Sequence, residues 1–512
     1  MPRRIPALFG ALLSLSTVAA VGAPTPAHAK TTSTRSYEQA RAELDAALSA
    51  VGGVSALRSI KNVRRVARAT LFNQGQGLDP DAPYTSMIWE EESIADFERH
   101  WSAADRAWSP AGGLRWHSLV VLKGDSGFTY NRLSTGLRPW SAGAIATARR
   151  ALARDPARLL LTAASRAETL RFLGQTSFQG RPHRVIAFAD GDGTQIALYI
   201  DARTRLVSKQ ELLADDPVLG DVTTEVLYSD YRKVAGVRLP FRVIIRNADG
   251  VTDDFTYLRI TANATQIDRL FERPRGAVEV DPAPSGGVIL TKLGEGAYFA
   301  GGGSHNSMFV SFKDHVLLVE APDSADRVEA VLAKIRETVG DKPVRYVVPT
   351  HYHFDHIGGL RAAIAAGATV VTTQGNRALV NRLAAAAHTI RPDGLSRQSR
   401  APSIEIVAKK RVFTDGTRTV EIYQIGPTPH VNEALIAYLP AERVVFVSDL
   451  YNSLPKGPLS PVGAAARHFA RTLEELRLRV DLIAPGHGPL APMKDLIGSL
   501  AKPVPPPRPV GL

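Results

Sequence analysis

The sequence predicts an α+β protein with two domains, and three observations support this class. The 512 residues, 44% of them hydrophobic, are enough to bury two separate cores. Residues 281–287 are rich in proline and glycine, a composition typical of a linker. Before this segment lie many strand-like runs separated by turns, and after it lie apolar runs that end in residues of metal-ligand type. We therefore expect an N-terminal domain over 30–280 and a C-terminal domain over 288–492.

The first 29 residues have the pattern of a secretory signal. Arg3 and Arg4 precede an apolar stretch over 6–21, and Ala27-His28-Ala29 fits a small-x-small cleavage site. We expect cleavage before Lys30 and a periplasmic or secreted protein, with the export route left open. The sequence contains no cysteine, so it offers neither a lipid attachment site nor a disulfide.

The N-terminal domain has the pattern of an antiparallel sheet or half-barrel with helices on one side. An amphipathic helix is predicted over 37–49, ending at Gly52 and Gly53. Seven strand-like runs follow it, at 64–72, 119–122, 184–188, 195–200, 222–228, 241–246 and 255–260.

One short segment carries a candidate metal-binding motif. His351, His353, Asp355 and His356 follow the apolar run 344–349 and precede two glycines. Imidazole and carboxylate groups are ligands of divalent cations. Because four such residues packed this tightly cannot share one helix face, the segment suits two adjacent metal ions that activate a water molecule.

Three later residues of the same chemical types lie in matching positions. His430, Asp449 and His487 each come at the C-terminal end of a short apolar segment that is typical of a buried strand. If these strands lie in packed sheets, their ends converge on one edge. Functional residues on loops at the edge of a rigid scaffold are the expected arrangement.

Residues 351–359, His-Tyr-His-Phe-Asp-His-Ile-Gly-Gly, resemble the HxHxDHxGG signature of the metallo-β-lactamase superfamily, and the three later residues are similar to its later metal motifs. This resemblance covers about 288–492 and implies an αβ/βα sandwich with two zinc ions, with iron or manganese left open. It implies that His351, His353 and His430 hold one ion, that Asp355, His356 and His487 hold the other, and that Asp449 bridges them. It also implies that Asp355 orients the attacking hydroxide. The bridging aspartate makes the sequence more similar to glyoxalase II-like and lactonase-like hydrolases than to antibiotic-resistance enzymes.

The resemblance implies a metallo-hydrolase acting on an acyl or phosphoryl centre of a small molecule: a lactone, lactam, thioester, ester or phosphoester. Two alternatives stay open. One is a mononuclear iron dioxygenase of sulfur compounds with the same fold, and the other is an envelope carrier of lipid or substrate in which the metal site is secondary.

The second alternative comes from a weaker likeness in the N-terminal domain. Residues 228–232, 236–240, Asn263 and Phe271 are similar to the closing strands of the periplasmic lipoprotein-carrier fold, an open β-barrel that holds acyl chains. This likeness implies contact with lipid or a membrane surface. The domain could equally brace or shield the active site.

The net charge of +12 does not indicate a nucleic-acid partner, because the basic residues are scattered among acidic ones. The oligomeric state cannot be derived from the sequence.

Several other residues are weaker candidates. His305 and Asn306 follow a glycine run that often overhangs the metals in the family, and Tyr451, Asn452 and Lys456 could reach a substrate. His388 and Arg391 belong to a polar insertion over 388–402, either a lid or a plain surface loop. Residues 493–512 are predicted to be a proline-rich tail.

Overall fold

The computed structural model describes residues 31–110, 112–132, 135–279, 287–398, 400–453 and 459–504. The predicted signal, residues 281–286 of the linker and the last eight residues lie outside this range. Within it, the structure is α+β, with a β-rich N-terminal part and a C-terminal sandwich, which confirms the predicted fold class. None of the described helices combines the length and the apolar character needed to cross a lipid bilayer.

The described N-terminal residues form one 14-stranded sheet and four helices. The strands are β1 Asn62–Phe72, β2 Ser86–Asp96, β3 Trp101–Trp108, β4 Trp116–Lys123, β5 Ser126–Asn131, β6 Gly136–Pro139, β7 Arg171–Phe178, β8 Arg181–Ala189, β9 Gln195–Asp201, β10 Val207–Asp216, β11 Gly220–Val234, β12 Val237–Asn247, β13 Gly250–Ala262 and β14 Val278–Glu279. The helices are α1 Thr32–Val51, α2 Val54–Ser59, α3 Ala142–Ala153 and α4 Leu159–Ser165.

The strands are ordered β14-β6-β5-β4-β3-β2-β1-β13-β12-β11-β10-β9-β8-β7, so that β1 pairs with β2 on one side and with β13 on the other. Neighbours are antiparallel except β14 and β6. The helices cover one face of this sheet. Leu44 and Leu48 of α1 and Leu160 of α4 are buried against sheet residues such as Ile186 and Phe241.

Helix α1 includes the helix predicted over 37–49 but begins five residues earlier, at Thr32. Thr31 caps its first turn by accepting a hydrogen bond from Thr34 N (3.3 Å), and apolar residues recur at Ala40, Leu44 and Ala47 to give one buried face. The helix ends at Gly52, whose φ of +126° favours glycine.

The C-terminal domain contains two facing sheets. The first is β15 Ile289–Gly294, β16 Ala297–Gly301, β17 Ser307–Ser311, β18 Val316–Val319, β19 Val344–Val348, β20 Thr369–Thr372 and β21 Ile404–Ile406, in that order. The second is β22 Lys410–Thr414, β23 Thr419–Ile425, β24 Ala434–Leu439, β25 Val444–Ser448, β26 Leu482–Pro485 and β27 Ala491–Pro492. The helices are α5 Ala325–Val339, α6 Phe354–Ile357, α7 Leu360–Ala365, α8 Arg377–Ala385, α9 Gly394–Gln398, α10 Ala464–Glu475 and α11 Met493–Leu500.

Strands buried on both faces explain the continuous apolar runs of this domain. Leu317 of β18 and Phe446 of β25 pack between the two sheets. Leu318, the residue after Leu317, points to the other face of its sheet and packs against the helices on the outside. The result is an αβ/βα sandwich. The domain extends past residue 492, because Leu496 of α11 is fully buried in the core.

The start of the predicted polar insertion contacts the N-terminal domain. His388 is buried, and its Nδ1 lies 2.7 Å from Asp215 Oδ1 at the end of β10. The backbone N–H groups of Thr389 and Ile390 donate to the carboxylate of Asp221 in β11. Arg391 instead forms an exposed ion pair with Asp326.

Candidate metal centre

The motif segment lies at the C-terminal end of strand β19. Its first two histidines are in the loop after β19, and Asp355 and His356 are in helix α6. Gly358 follows at a point of close backbone approach, where a Cβ would lie 2.2 Å from Asp323 O. This contact holds α6 against the turn before α5 and so fixes the direction of the motif.

The three later residues come to the same edge of the sandwich. His430 follows β23, Asp449 follows β25, and His487 follows β26. His305, in the turn between β16 and β17, also reaches this edge. The structure thus brings all seven predicted ligands together, since strand ends of two packed sheets share one edge.

The side chains form two neighbouring groups in which the potential ligand atoms lie within 4.8 Å of one another. The first group consists of His351, His353, His430 and Asp449. The second group consists of His305, Asp355, His356 and His487. Imidazole and carboxylate donors at this spacing could hold one divalent cation in each group.

Asp449 lies between the two groups. Its Oδ2 is 3.5 Å from His430 Nε2 and 3.3 Å from His356 Nε2, and its Oδ1 is 3.2 Å from His487 Nε2. One carboxylate therefore faces ligands of both groups.

Asp355 faces only the second group. Its Oδ2 lies 3.0 Å from His305 Nε2, 3.7 Å from His356 Nε2 and 3.8 Å from His487 Nε2. Its other oxygen, Oδ1, accepts a hydrogen bond from Gln76 Nε2 of the N-terminal domain (2.6 Å). One oxygen of this carboxylate therefore faces the second group, and the other faces the N-terminal domain.

Backbone carbonyls fix the orientation of two of the histidines. His353 Nε2 lies 2.8 Å from Gly77 O, and His487 Nδ1 lies 3.0 Å from Ser304 O. Because a carbonyl oxygen only accepts, these nitrogens must carry the proton. The other nitrogen of each ring, His353 Nδ1 or His487 Nε2, faces the groups and is the atom that could bind a metal. Such outer contacts are typical of metal-binding histidines.

Glu320 is a residue of this site that the sequence did not reveal. It follows β18, is fully buried, accepts a hydrogen bond from Thr350 N (2.9 Å) and places Oε2 at 3.3 Å from His356 Nδ1. Ser448 Oγ lies 3.1 Å from the same nitrogen. The position after an apolar strand, the signal that revealed Asp449, could also have revealed Glu320.

The residues present fit a divalent metal. His351 Nε2 and His353 Nδ1 are buried and have no hydrogen-bond partner among the described residues. A buried nitrogen left without a partner is costly, so both atoms point to a group that would accept their lone pairs. Neutral imidazoles beside a carboxylate are a donor set for zinc and similar ions.

In the first group, the pKa shifts of the side chains favour the protonation states that bind a cation. Burial lowers the pKa of His351 well below its ordinary value, and burial together with the nearby His430 lowers the pKa of His353 to about 3. Burial opposes ionisation of Asp449, but the attraction of His356 and His487 outweighs it and holds the pKa of Asp449 well below its ordinary range. Neutral histidines and an ionised aspartate are the protonation states that bind metal.

The weaker candidates have different positions. His305 contacts Asp355 directly, whereas Asn306 is buried and donates from Nδ2 to Pro485 O (3.1 Å) and Gly488 O (2.8 Å), which holds the His487 turn. Tyr451 is buried in the core, and Lys456 lies outside the described residues.

A comparison with protein families identifies the part of the chain that contains these groups. The family model of the metallo-beta-lactamase superfamily matches residues 300–487. Solved structures that resemble the chain include a metallo-beta-lactamase from Pontibacter korlensis (23% identity, TM-score 0.32, covering 42% of this chain and 97% of that one) and one from Hirschia baltica (17% identity, TM-score 0.30, covering 42% and 96%). A segment of 50 residues is 38% identical to a linear primary-alkylsulfatase of Pseudomonas sp. (strain ATCC 19151). That segment spans 10% of this chain and 9% of the alkylsulfatase.

Residues 300–487 of the C-terminal domain therefore match the metallo-β-lactamase superfamily, and the domain carries the ligand types of a divalent metal site.

Proposed function

We propose that this domain is a metallo-hydrolase, that it holds two divalent ions, zinc in the simplest case, and that it hydrolyses a small-molecule substrate outside the cytoplasm. The position of Asp449, with one oxygen near His430 and the other near His487, is the observation that carries the dinuclear proposal. A single carboxylate in contact with both groups suits a bridging ligand.

In this proposal the ligands divide as the two groups do. His351, His353 and His430 hold one ion, and Asp355, His356 and His487 hold the other, with Asp449 shared. When bound, two divalent ions lower the pKa of a water molecule and stabilise negative charge that develops on the substrate. Asp355 orients the attacking water, since its carboxylate is at the exposed side of the site.

His305 is the residue best placed to act beside the metals. Its Nδ1 lies 2.8 Å from Ser304 Oγ and its Nε2 lies 3.0 Å from Asp355. Burial, although partly offset by Asp355, lowers the pKa of His305, so that a neutral ring is present at pH 7. We propose that His305 contacts the substrate or its leaving group.

The substrates proposed are those with an electrophilic acyl or phosphoryl centre: lactones, lactams, thioesters, esters and phosphoesters. Sulfate esters are a further proposed substrate class, because a short segment matches a linear primary-alkylsulfatase.

Two alternatives remain to be tested against this function. A mononuclear iron dioxygenase of sulfur compounds would use only one of the groups. An envelope carrier would need an open apolar face on the N-terminal sheet, but helices α1 and α4 are buried against that face, which favours the hydrolase.

The proposal includes export, because residues 1–29 have the pattern of a cleaved signal. Amino-terminal sequencing of the mature protein, together with cell fractionation, tests this part. A protein that keeps residues 1–29 and stays in the cytoplasm would contradict it.

The deciding experiment is elemental mass spectrometry of residues 30–512, purified without added metal or chelator. About two zinc ions per chain would support the proposal, and hydrolysis would then be measured on the six ester, lactone and lactam classes named above. One iron per chain, with oxygen consumed in the presence of persulfides, would favour the dioxygenase. Acyl chains in an organic extract of metal-poor protein would favour the carrier.

A further inference from the structure

The loop between β1 and β2 of the N-terminal domain lies directly on the candidate metal centre. We define the clasp as residues 75–79 of this loop. Its backbone carbonyls accept hydrogen bonds from three groups of the C-terminal domain: Phe354 N to Gly75 O (3.1 Å), His353 Nε2 to Gly77 O (2.8 Å) and Asn432 N to Leu78 O (2.9 Å). The clasp thus contacts both the motif segment and the turn that carries His430.

Two side chains of the clasp make further contacts. Gln76 Nε2 donates to Asp355 Oδ1 (2.6 Å), and the carboxylate of Asp79 accepts from Asn432 Nδ2 (2.8 Å). Gln76 is otherwise exposed, at the open side of the site.

We propose that Gln76 is a positioning residue for Asp355, so that the N-terminal domain completes the metal centre through the clasp. This inference rests on the proposed function, because it assigns a role toward the metals that the two groups would hold.

The carboxylate of Asp355 can rotate about its Cβ–Cγ bond, and its two oxygens are equivalent acceptors. The hydrogen bond from Gln76 Nε2 to one oxygen restrains this rotation and keeps the other oxygen directed at His305, His356 and His487. Ligand carboxylates commonly need such an outer hydrogen bond to hold their direction.

The clasp is shaped within its own domain before it meets the metal centre. Asn73 N donates to Thr85 O (2.8 Å), and Asn73 Nδ2 donates to Thr85 Oγ1 (3.0 Å), which closes the loop directly above the paired ends of β1 and β2. Gly75 has a φ of +68°, and a Cβ there would lie 2.6 Å from the ring of Phe354. A rigid loop in close contact is suited to positioning rather than to opening.

The test compares Gln76→Leu with a matched control, Gln74→Leu. Gln74 is the same residue type in the same loop, but its side chain bonds Asn247 of its own domain. Zinc affinity is measured by competition with a chelator, and the cobalt(II)-substituted proteins are compared by visible absorption.

We expect Gln76→Leu to weaken the binding of one of the two ions by about tenfold to a hundredfold and to change the cobalt spectrum, whereas Gln74→Leu leaves both unchanged. Gln76→Lys, which restores an N–H donor of similar reach, should recover part of the affinity. Wild-type affinity and an unchanged cobalt spectrum in Gln76→Leu would overturn the inference.

A measurement on metal-free protein separates this inference from the proposed function. Hydrogen exchange of residues 351–357 should be faster in metal-free Gln76→Leu than in wild type or Gln74→Leu, because Phe354 N–H is bonded to the clasp. If the wild type binds no divalent ion, the proposed function fails, and this exchange result alone then decides whether the clasp holds the segment. Equal exchange in all three proteins would contradict the positioning role.

Discussion

The two groups of the candidate metal centre differ in exposure. His351 and His353 of the first group are buried, whereas in the second group the side chains of Asp355 and His487 are 33% and 26% exposed. A buried, pre-oriented set of ligands favours tight metal binding, and a more exposed set favours contact with substrate. We infer that the first group anchors the centre and that the substrate approaches the second.

The largest effect is expected from Asp449→Ala, which removes the residue common to both groups. Without this carboxylate, the Nε2 atoms of His356 and His487 lose their nearest anionic partner. We expect the loss of at least one ion and a decrease in hydrolysis of more than about a hundredfold, since even outer contacts cost ten- to a hundredfold. Metal analysis and steady-state kinetics check this. Unchanged metal content with unchanged turnover would rule out the bridging role.

Asp355→Asn tests whether the two groups bind their ions independently, because Asp355 contacts only the second group. We expect metal content to fall from about two ions to about one, with the first group still occupied and hydrolysis reduced about a hundredfold. The isosteric change Asp125→Asn, at a side chain that is 96% exposed, is the control. Loss of both ions in Asp355→Asn would show that the groups do not bind independently.

A smaller effect is expected from His305→Ala. If His305 contacts the substrate rather than a metal, both ions should remain and kcat should fall by about tenfold to a hundredfold. Metal content and kcat are measured on the same preparation. A fall in metal content instead would make His305 a ligand of the second group.

The smallest effect on the metal centre is expected from Asp393→Asn, which is remote from both groups. Arg361 of α7 is buried and donates hydrogen bonds to the carboxylate of Asp393 and to the carbonyls of Leu383 and Ala384. These bonds connect α7 to the segment before α9. Losing the charge of Asp393 should cost about 2 kcal/mol of unfolding free energy at pH 7, without changing metal content.

This effect should depend on pH in a defined direction. Burial opposes ionisation of Asp393, but its hydrogen bond with Arg361 prevails and holds the pKa below the ordinary value. The stabilisation is therefore present above about pH 4 and is lost as the pH falls through the folded-state pKa. Urea unfolding of metal-free wild type and Asp393→Asn should converge at low pH. A difference that does not decrease between pH 4 and about pH 2 would contradict this account.

Seven strands of the N-terminal domain were predicted from their apolar runs, but β2 was missed because charges interrupt its pattern. Strand β2 contains Glu90, Glu91 and Glu92, which a sequence pattern does not favour as a strand. In the sheet, Glu91 pairs with Arg106 and Glu92 with Arg64 on neighbouring strands. Cross-strand ion pairs between residues far apart in sequence stabilise such a strand, and no local pattern encodes them.

The sequence by itself determined the chemistry of the centre. The spacing of His351, His353, Asp355 and His356, and the strand-end positions of the three later residues, define the ligand types and bring them to one edge. These signals are local, because a strand and the residue after it are adjacent in the chain.

Only the tertiary structure decided how the centre is divided and supported. The position of Asp449 between two groups, the contact of His305 with Asp355 and the buried Glu320 depend on how the sheets pack. The clasp depends on packing between domains, since His353 and Gly77 are 276 residues apart in the chain. A backbone carbonyl or an exposed glutamine has no sequence signature, so its role arises from the groups that the fold places next to it.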